Sequence, residues 1–297
     1  MNTNIFRGTG IALVTPFDEN KNVDFDALKR LLEHTQDHVE FWVVHGTTGE
    51  AATTTRQEKR EIFDFIAENN PNKLPLVYGL AWNDTRQLIE LLGKSNLEGV
   101  SAILSASPSY NKPTQEGIYR HYMEVADASP KPIILYNVPS RTASNIEAKT
   151  TLRLAEHPNI IGTKEASGDM TQCIEILRNK PKDFVVLSGD DALTLPLISL
   201  GADGVIGVIP NAYPKEFGNL TRAALKGDYK TANKYLHQLF PLFEHLFVES
   251  NPVGIKEILT LLGITKSDVR LPLLNASKEL SEKFKVEMQK VKSLQIA

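Results

Sequence analysis

A (β/α)8 TIM barrel with a C-terminal helical appendage is the fold class this sequence predicts, and three observations predict it. Eight short apolar runs, rich in β-branched residues, recur along the chain. Their apolar character is continuous, not alternating, which suits strands buried on both faces of a parallel sheet. Segments of helical period with start signals lie between them, and no G-x-G-x-x-G follows the first run, which counts against an open dinucleotide-binding sheet.

In chain order the runs are residues 10–17, 41–46, 74–80, 99–105, 132–138, 160–164, 184–189 and 204–210. After the second, Thr55-Arg56-Gln57-Glu58 is a capping box, followed by Ile62, Phe65 and Ile66 on one face. After the third, Asp84 caps a helix carrying Leu88, Leu91 and Leu92. After the sixth, Asp169 caps one carrying Met170, Cys173, Ile174 and Leu177. Beyond Gly227 the strand signals stop. Residues 228–250 around Pro241, residues 252–262 ending at Gly263, and a last segment with Leu280, Phe284, Met288 and Val291 all read as helix. Residues 1–227 are thus expected to form a catalytic barrel, and residues 228–297 a helical region packed on it without a linker.

Composition narrows the function classes. The 297 residues are 41% apolar and 23% charged, ordinary for a globular chain. With 33 basic against 36 acidic residues the net charge is -3, and no basic block is present, so a nucleic-acid partner is not expected. Cys173 is the only cysteine, which rules out an intramolecular disulfide or a cysteine metal cluster. No secretory signal is visible at the start, and the most apolar window, residues 192–210, is broken by Pro196, Gly201, Asp203 and Gly207. A cytoplasmic protein without a membrane span is expected.

Active sites of such barrels lie at the C-terminal ends of the strands. The polar residues there include Thr47-Thr48 after the second strand, Tyr110 after the fourth, Tyr136 and Arg141 at the fifth, Lys164 at the sixth and Gly189 at the seventh. Lys164 would be the last inward residue of its strand. Burial disfavours the charged amine, and a neutral amine attacks ketones to give a carbinolamine and then an imine. Its bland reading is an ion pair with Glu165. Tyr136 is either a core aromatic or the phenol that carries protons to and from the carbinolamine. Thr47-Thr48 between glycines is either a tight turn or a cradle for a small carboxylate. Arg141 is either a solvated surface residue or a bidentate carboxylate clamp.

Three runs together resemble the signatures of the dihydrodipicolinate synthase family. They are Gly46-Thr47-Thr48-Gly49-Glu50, Tyr136-Asn137-Val138-Pro139-Ser140-Arg141-Thr142 and Gly162-Thr163-Lys164-Glu165-Ala166-Ser167-Gly168-Asp169. The resemblance covers nearly the whole chain and places it among the class I pyruvate-dependent aldolases, with N-acetylneuraminate lyase as a cousin. It implies that Lys164 forms a Schiff base with pyruvate and that Tyr136 is the general acid/base. Thr47 would link Tyr136 to Tyr110, which a neighbouring subunit contributes. Thr48 and Thr47 would hold the pyruvate carboxylate, Arg141 that of L-aspartate 4-semialdehyde, and Gly189 and Ile206 would offer backbone groups. The implied product is 4-hydroxy-tetrahydrodipicolinate, a precursor of diaminopimelate and lysine. No cofactor or metal is implied, and the implied assembly is a homotetramer, a dimer of dimers. Neuraminate lyases carry Gly-Ser-Thr-Gly-Glu and lack an arginine after the Tyr-Asn-x-Pro turn, so Thr47 and Arg141 favour a short acidic aldehyde.

Some positions depart from the family pattern. In Asn251-Pro252-Val253-Gly254-Ile255-Lys256, Gly254 replaces a second proline, a change expected to alter stiffness and not chemistry; His45 has no assigned role. The positions that match the family's lysine-inhibition site are Ala51, Arg56, Lys59, Asn83, Gln87 and Ser109, of which only the asparagine is retained. Two cations and no carboxylate would repel an ammonium group, so insensitivity to L-lysine is expected.

Rival readings are a metal-dependent aldolase, a keto-sugar-acid or neuraminate aldolase of the same superfamily, and an inactive barrel kept as a binding protein. The metal reading lacks clustered ligands: His34 and His38 share a helix face without a third partner, and Cys173 sits on an apolar face. An inactive binder would not need lysine, tyrosine, threonines and arginine together.

Overall fold

In the computed structural model, which describes residues 2–293, eight parallel strands close into a barrel in sequence order, β1 pairing with β8. The strands are β1 (Gly8–Ala12), β2 (Phe41–Val44), β3 (Leu76–Gly79), β4 (Val100–Ala106), β5 (Ile133–Asn137), β6 (Ile160–Glu165), β7 (Val185–Ser188) and β8 (Gly204–Gly207). Around them run α1 (Phe25–Thr35), α2 (Arg56–Glu68), α3 (Thr85–Lys94), α4 (Gln115–Ala128), the single turn α5 (Pro139–Thr142), α6 (Ala148–Leu154), α7 (Met170–Asn179), α8 (Thr194–Ser199) and α9 (Pro214–Leu225). Three helices follow: α10 (Tyr229–Leu246), with Pro241 inside it, α11 (Val253–Leu261) and α12 (Lys278–Ser293).

Local chemistry explains the helix starts. Thr55 and Glu58 form a reciprocal capping box at α2, while Asp84 and Asp169 accept from the first-turn amides of α3 and α7. Two apolar layers result. Phe41, Val43, Val77, Leu104, Ile134 and Ile206 fill the barrel, and a larger shell lies between strands and helices.

Three strand ends fall short of the sequence reading by two residues or more. The first run leaves the ladder at Ala12, because the Val14 amide donates to the Asn211 side chain and Pro16 has no amide to give. The second stops at Val44, since His45 takes a left-handed φ of 62°. The eighth stops at Gly207 and winds into a 3-10 turn, Ile209–Asn211, around Pro210. On α7, Ile174 is 46% exposed and Ile176 fills its expected core place, so the buried face is rotated from the one read.

β6 holds the feature that matters most. Between the pairs Ile133↔Ile160 and Ile134↔Gly162 it carries one residue more than β5. Ile161 faces the barrel interior, so strict alternation would turn Lys164 outward. The bulge resets the phase. Thr163 then pairs with outward Leu135, and Lys164 pairs with inward Tyr136.

Candidate active site

Lys164 is 5% exposed, and its Nζ lies 4.3 Å from the centroid of the Tyr136 ring. Among the described residues no carboxylate forms an ion pair with this ammonium. Glu165 faces the other way, accepting from Asn137 Nδ2 at 3.0 Å, Ser167 N at 2.8 Å and Gln172 Nε2 at 3.2 Å. The ion-pair reading of Lys164 therefore fails. Asn137, fully buried, also donates to Asn145 and accepts from the Ile146 amide. This polar cluster on the back of β5 and β6 ties the two strands at the register that sets Tyr136 beside Lys164.

Gly189, at the end of β7, leaves the space that Lys164 occupies. A Cβ there would come within 2.6 Å of Ala166 Cβ and 3.1 Å of Lys164 Cε. Ile206 on β8 is fully buried in the inner layer.

A cleft of about 1220 Å³ opens at this end of the barrel, and Thr47, Tyr136 and Arg141 line it. Among the described residues neither the Tyr136 phenol nor the Thr47 hydroxyl makes a hydrogen bond, so both are available to a ligand. Pro139 starts α5 directly after Val138, and Ala143 in a left-handed conformation ends it with its amide on the Pro139 carbonyl. That one-turn helix carries Arg141 to the rim, exposed and unpaired among the described residues. Thr48 is 2% exposed, and Asn251, which lines the cleft, donates from Nδ2 to its Oγ1 at 3.0 Å. Tyr110 does not join its own chain's cleft. It is 90% exposed, at a φ of 72°, on the loop after β4.

Other titratable groups near the barrel mouth went unassigned in the sequence. His45 points outward and packs against Tyr78, with Nε2 2.8 Å from the Lys59 carbonyl oxygen. Burial lowers its pKa to about 3, which keeps the ring neutral. Asp191, wholly buried, accepts from the Val208 and Ile209 amides at 3.0 and 3.1 Å; burial raises it to about 7, while those amides and the Lys164 charge act against the rise. Asp191 stands two residues after Gly189 in the sequence, but nothing local there shows its burial. His34 bonds the Ala212 carbonyl, and Cys173 is buried with its thiol pushed up to about 12, chiefly by burial. Among the described residues no helix is long and apolar enough to cross a membrane.

Known proteins resemble this chain throughout its length. A sequence model described as the dihydrodipicolinate synthetase family matches residues 5–291. The 4-hydroxy-tetrahydrodipicolinate synthase of Cytophaga hutchinsonii is 46% identical over 280 residues, 94% of each chain. The dihydrodipicolinate synthase structure from Aquifex aeolicus superposes with a TM-score of 0.92 at 38% identity, covering 98% of this chain and 100% of that one. A lysine-bound structure of the enzyme from Cyanidioschyzon merolae has a TM-score of 0.92 at 37% identity, covering 97% and 99%.

Proposed function

The chain belongs to the dihydrodipicolinate synthetase family, and from that premise we propose that it condenses pyruvate with L-aspartate 4-semialdehyde through an imine on Lys164. It is a lyase. The observation that carries the imine reading is a buried amine inside the barrel, stacked on a phenol and in no ion pair among the described residues.

The Lys164 amine adds to the keto carbon of pyruvate. The carbinolamine oxygen is then protonated and leaves as water, giving the imine. Tyr136 supplies and recovers these protons, in relay with Thr47 and with Tyr110 of a neighbouring subunit. The high exposure of Tyr110 supports that assignment, because its own chain gives it no cavity to serve. Loss of a methyl proton gives an enamine, whose carbon attacks the aldehyde. The amino group of the aldehyde substrate then displaces Lys164, closing the ring of 4-hydroxy-tetrahydrodipicolinate. Thr47 and Thr48 hold the pyruvate carboxylate, Arg141 the second carboxylate, and backbone groups of Gly189 and Ile206 border the imine. The assembly that fits this relay is a tetramer built as a dimer of dimers.

Borohydride reduction in the presence of pyruvate tests the reading. Peptide mapping should find a stable adduct on Lys164, and a folded chain with no adduct would refute it. Insensitivity to L-lysine is part of the same proposal. Arg56 and Lys59 both line the cleft, and the Asn83 carbonyl is already occupied by Ser109, whose amide and hydroxyl donate to it at 2.8 and 3.1 Å. Steady-state rates unchanged by saturating L-lysine are expected, and strong inhibition would overturn this part.

A further inference from the structure

We propose that Asn251 is a positioning residue that aims the Thr48 hydroxyl proton at the carboxylate of the keto acid. This rests on the reading of Thr48 as a ligand for that carboxylate.

Asn251 comes from the far end of the chain, 203 residues from Thr48, yet its Nδ2 donates to Thr48 Oγ1 at 3.0 Å. A hydroxyl has one proton to give and two lone pairs to receive with, whereas an amide nitrogen only gives. The amide therefore occupies a lone pair of Oγ1 and turns the hydroxyl proton away from Asn251. Among the described residues that proton has no acceptor, although Thr48 is 2% exposed. A buried donor left unmatched is costly, and an incoming carboxylate is the acceptor that would satisfy it with a charge-assisted bond.

A second contact anchors the donor. Lys256 on α11 reaches Glu50, two residues beyond Thr48, with Nζ 2.5 Å from Oε1, and also donates to the Asp268 carbonyl at 2.7 Å. The segment holding Asn251 and Lys256 thus grips the 46–50 turn at two points, one polarising a hydroxyl and the other fixing the backbone. This gives the Asn-Pro-x-Gly-x-Lys run a role beyond packing. Gly254 within it has no room for a side chain, since a Cβ would lie 2.3 Å from the Leu246 carbonyl oxygen.

The test measures the pyruvate concentration that half-saturates borohydride trapping in the full chain. N251A should raise it about tenfold, the scale of one hydrogen bond to a charged group. N251D is nearly isosteric, but its carboxylate can only accept. It should draw in the Thr48 proton, repel the substrate and weaken trapping more than N251A does. The double variant N251A/T48V should be no worse than T48V alone, because Asn251 acts through that hydroxyl. Effects of N251A and T48V that multiply, or an N251D chain that traps pyruvate as the wild type does, would overturn the inference while leaving the imine reading intact. A wild-type chain that traps no pyruvate overturns both. Should N251A not fold, N251D carries the test unaided.

Discussion

At the scale of single residues, burial at the barrel mouth makes the protein's stability depend on pH. His45 is 3% exposed and held near pKa 3, against 6.5 for an exposed ring. Because the folded value is depressed, the unfolded chain binds the proton more readily between those limits. The stability contributed by neutral His45 is therefore complete above about pH 6.5 and is lost as the pH falls toward 3. The shift corresponds to a loss on the order of 2 kcal/mol by about pH 5. Urea unfolding at pH 7.5 and pH 5 should show a smaller difference for H45N, since asparagine tolerates the left-handed backbone and does not titrate there. His121, lowered to about 4 by its own burial, titrates in both chains and cancels. Equal pH dependence in the two would sink the prediction. A bare histidine before Gly-Thr-Thr could not announce this, because its neutrality comes from burial against Tyr78 on β3, which outweighs the pull of the Lys59 carbonyl on α2 toward the charged ring.

At the scale of elements, the β6 bulge decides whether the amine faces the barrel or the helices. It depends on Gly162, where a Cβ would sit 2.5 Å from the Val185 carbonyl oxygen on the neighbouring strand. G162A should push β6 and β7 apart and destabilise the fold by about 1–3 kcal/mol, the usual cost of overpacking. A wild-type urea midpoint for that variant would show that the strand gap yields freely. The sequence made the eight strands and the caps at Thr55, Asp84 and Asp169 legible, since apolar runs and side-chain caps are local signals. It made the strand ends legible as the place to look, so the cleft residues Thr47, Tyr136 and Arg141 could be named beforehand. It did not make the bulge legible, because an extra residue appears only against the partner strand. Naming Lys164 as inward-facing reached the observed orientation by way of strand position, while strict alternation from Ile161 predicts the opposite.

At the scale of the whole molecule, the end of the chain closes on the loop after β2. Glu50 receives Lys256 Nζ and, at 3.0 Å, the Arg270 amide, while the Arg270 guanidinium pairs with Glu58 and donates to the Thr53 carbonyl at 2.9 Å. Phe17 lies between the two cations, each 4.2 Å from its ring. No local pattern encodes contacts that span more than 200 residues of sequence, as the 206 between Glu50 and Lys256 do. Lys256 and Glu50 have side chains 0% and 2% exposed, so neither charge can turn to water if the other is removed. Burial lowers the lysine to about 8 even though Glu50 favours its charged form, which marks desolvation as the larger effect. Replacing one partner strands a charge in the interior at about 3–5 kcal/mol, whereas replacing both with apolar groups of similar volume removes the stranded charge as well. In urea, K256M should therefore unfold well before the wild type, and the double variant K256M/E50L should recover much of the loss. If the second substitution deepens the loss, the pair is a net source of stability and its desolvation is not the governing term.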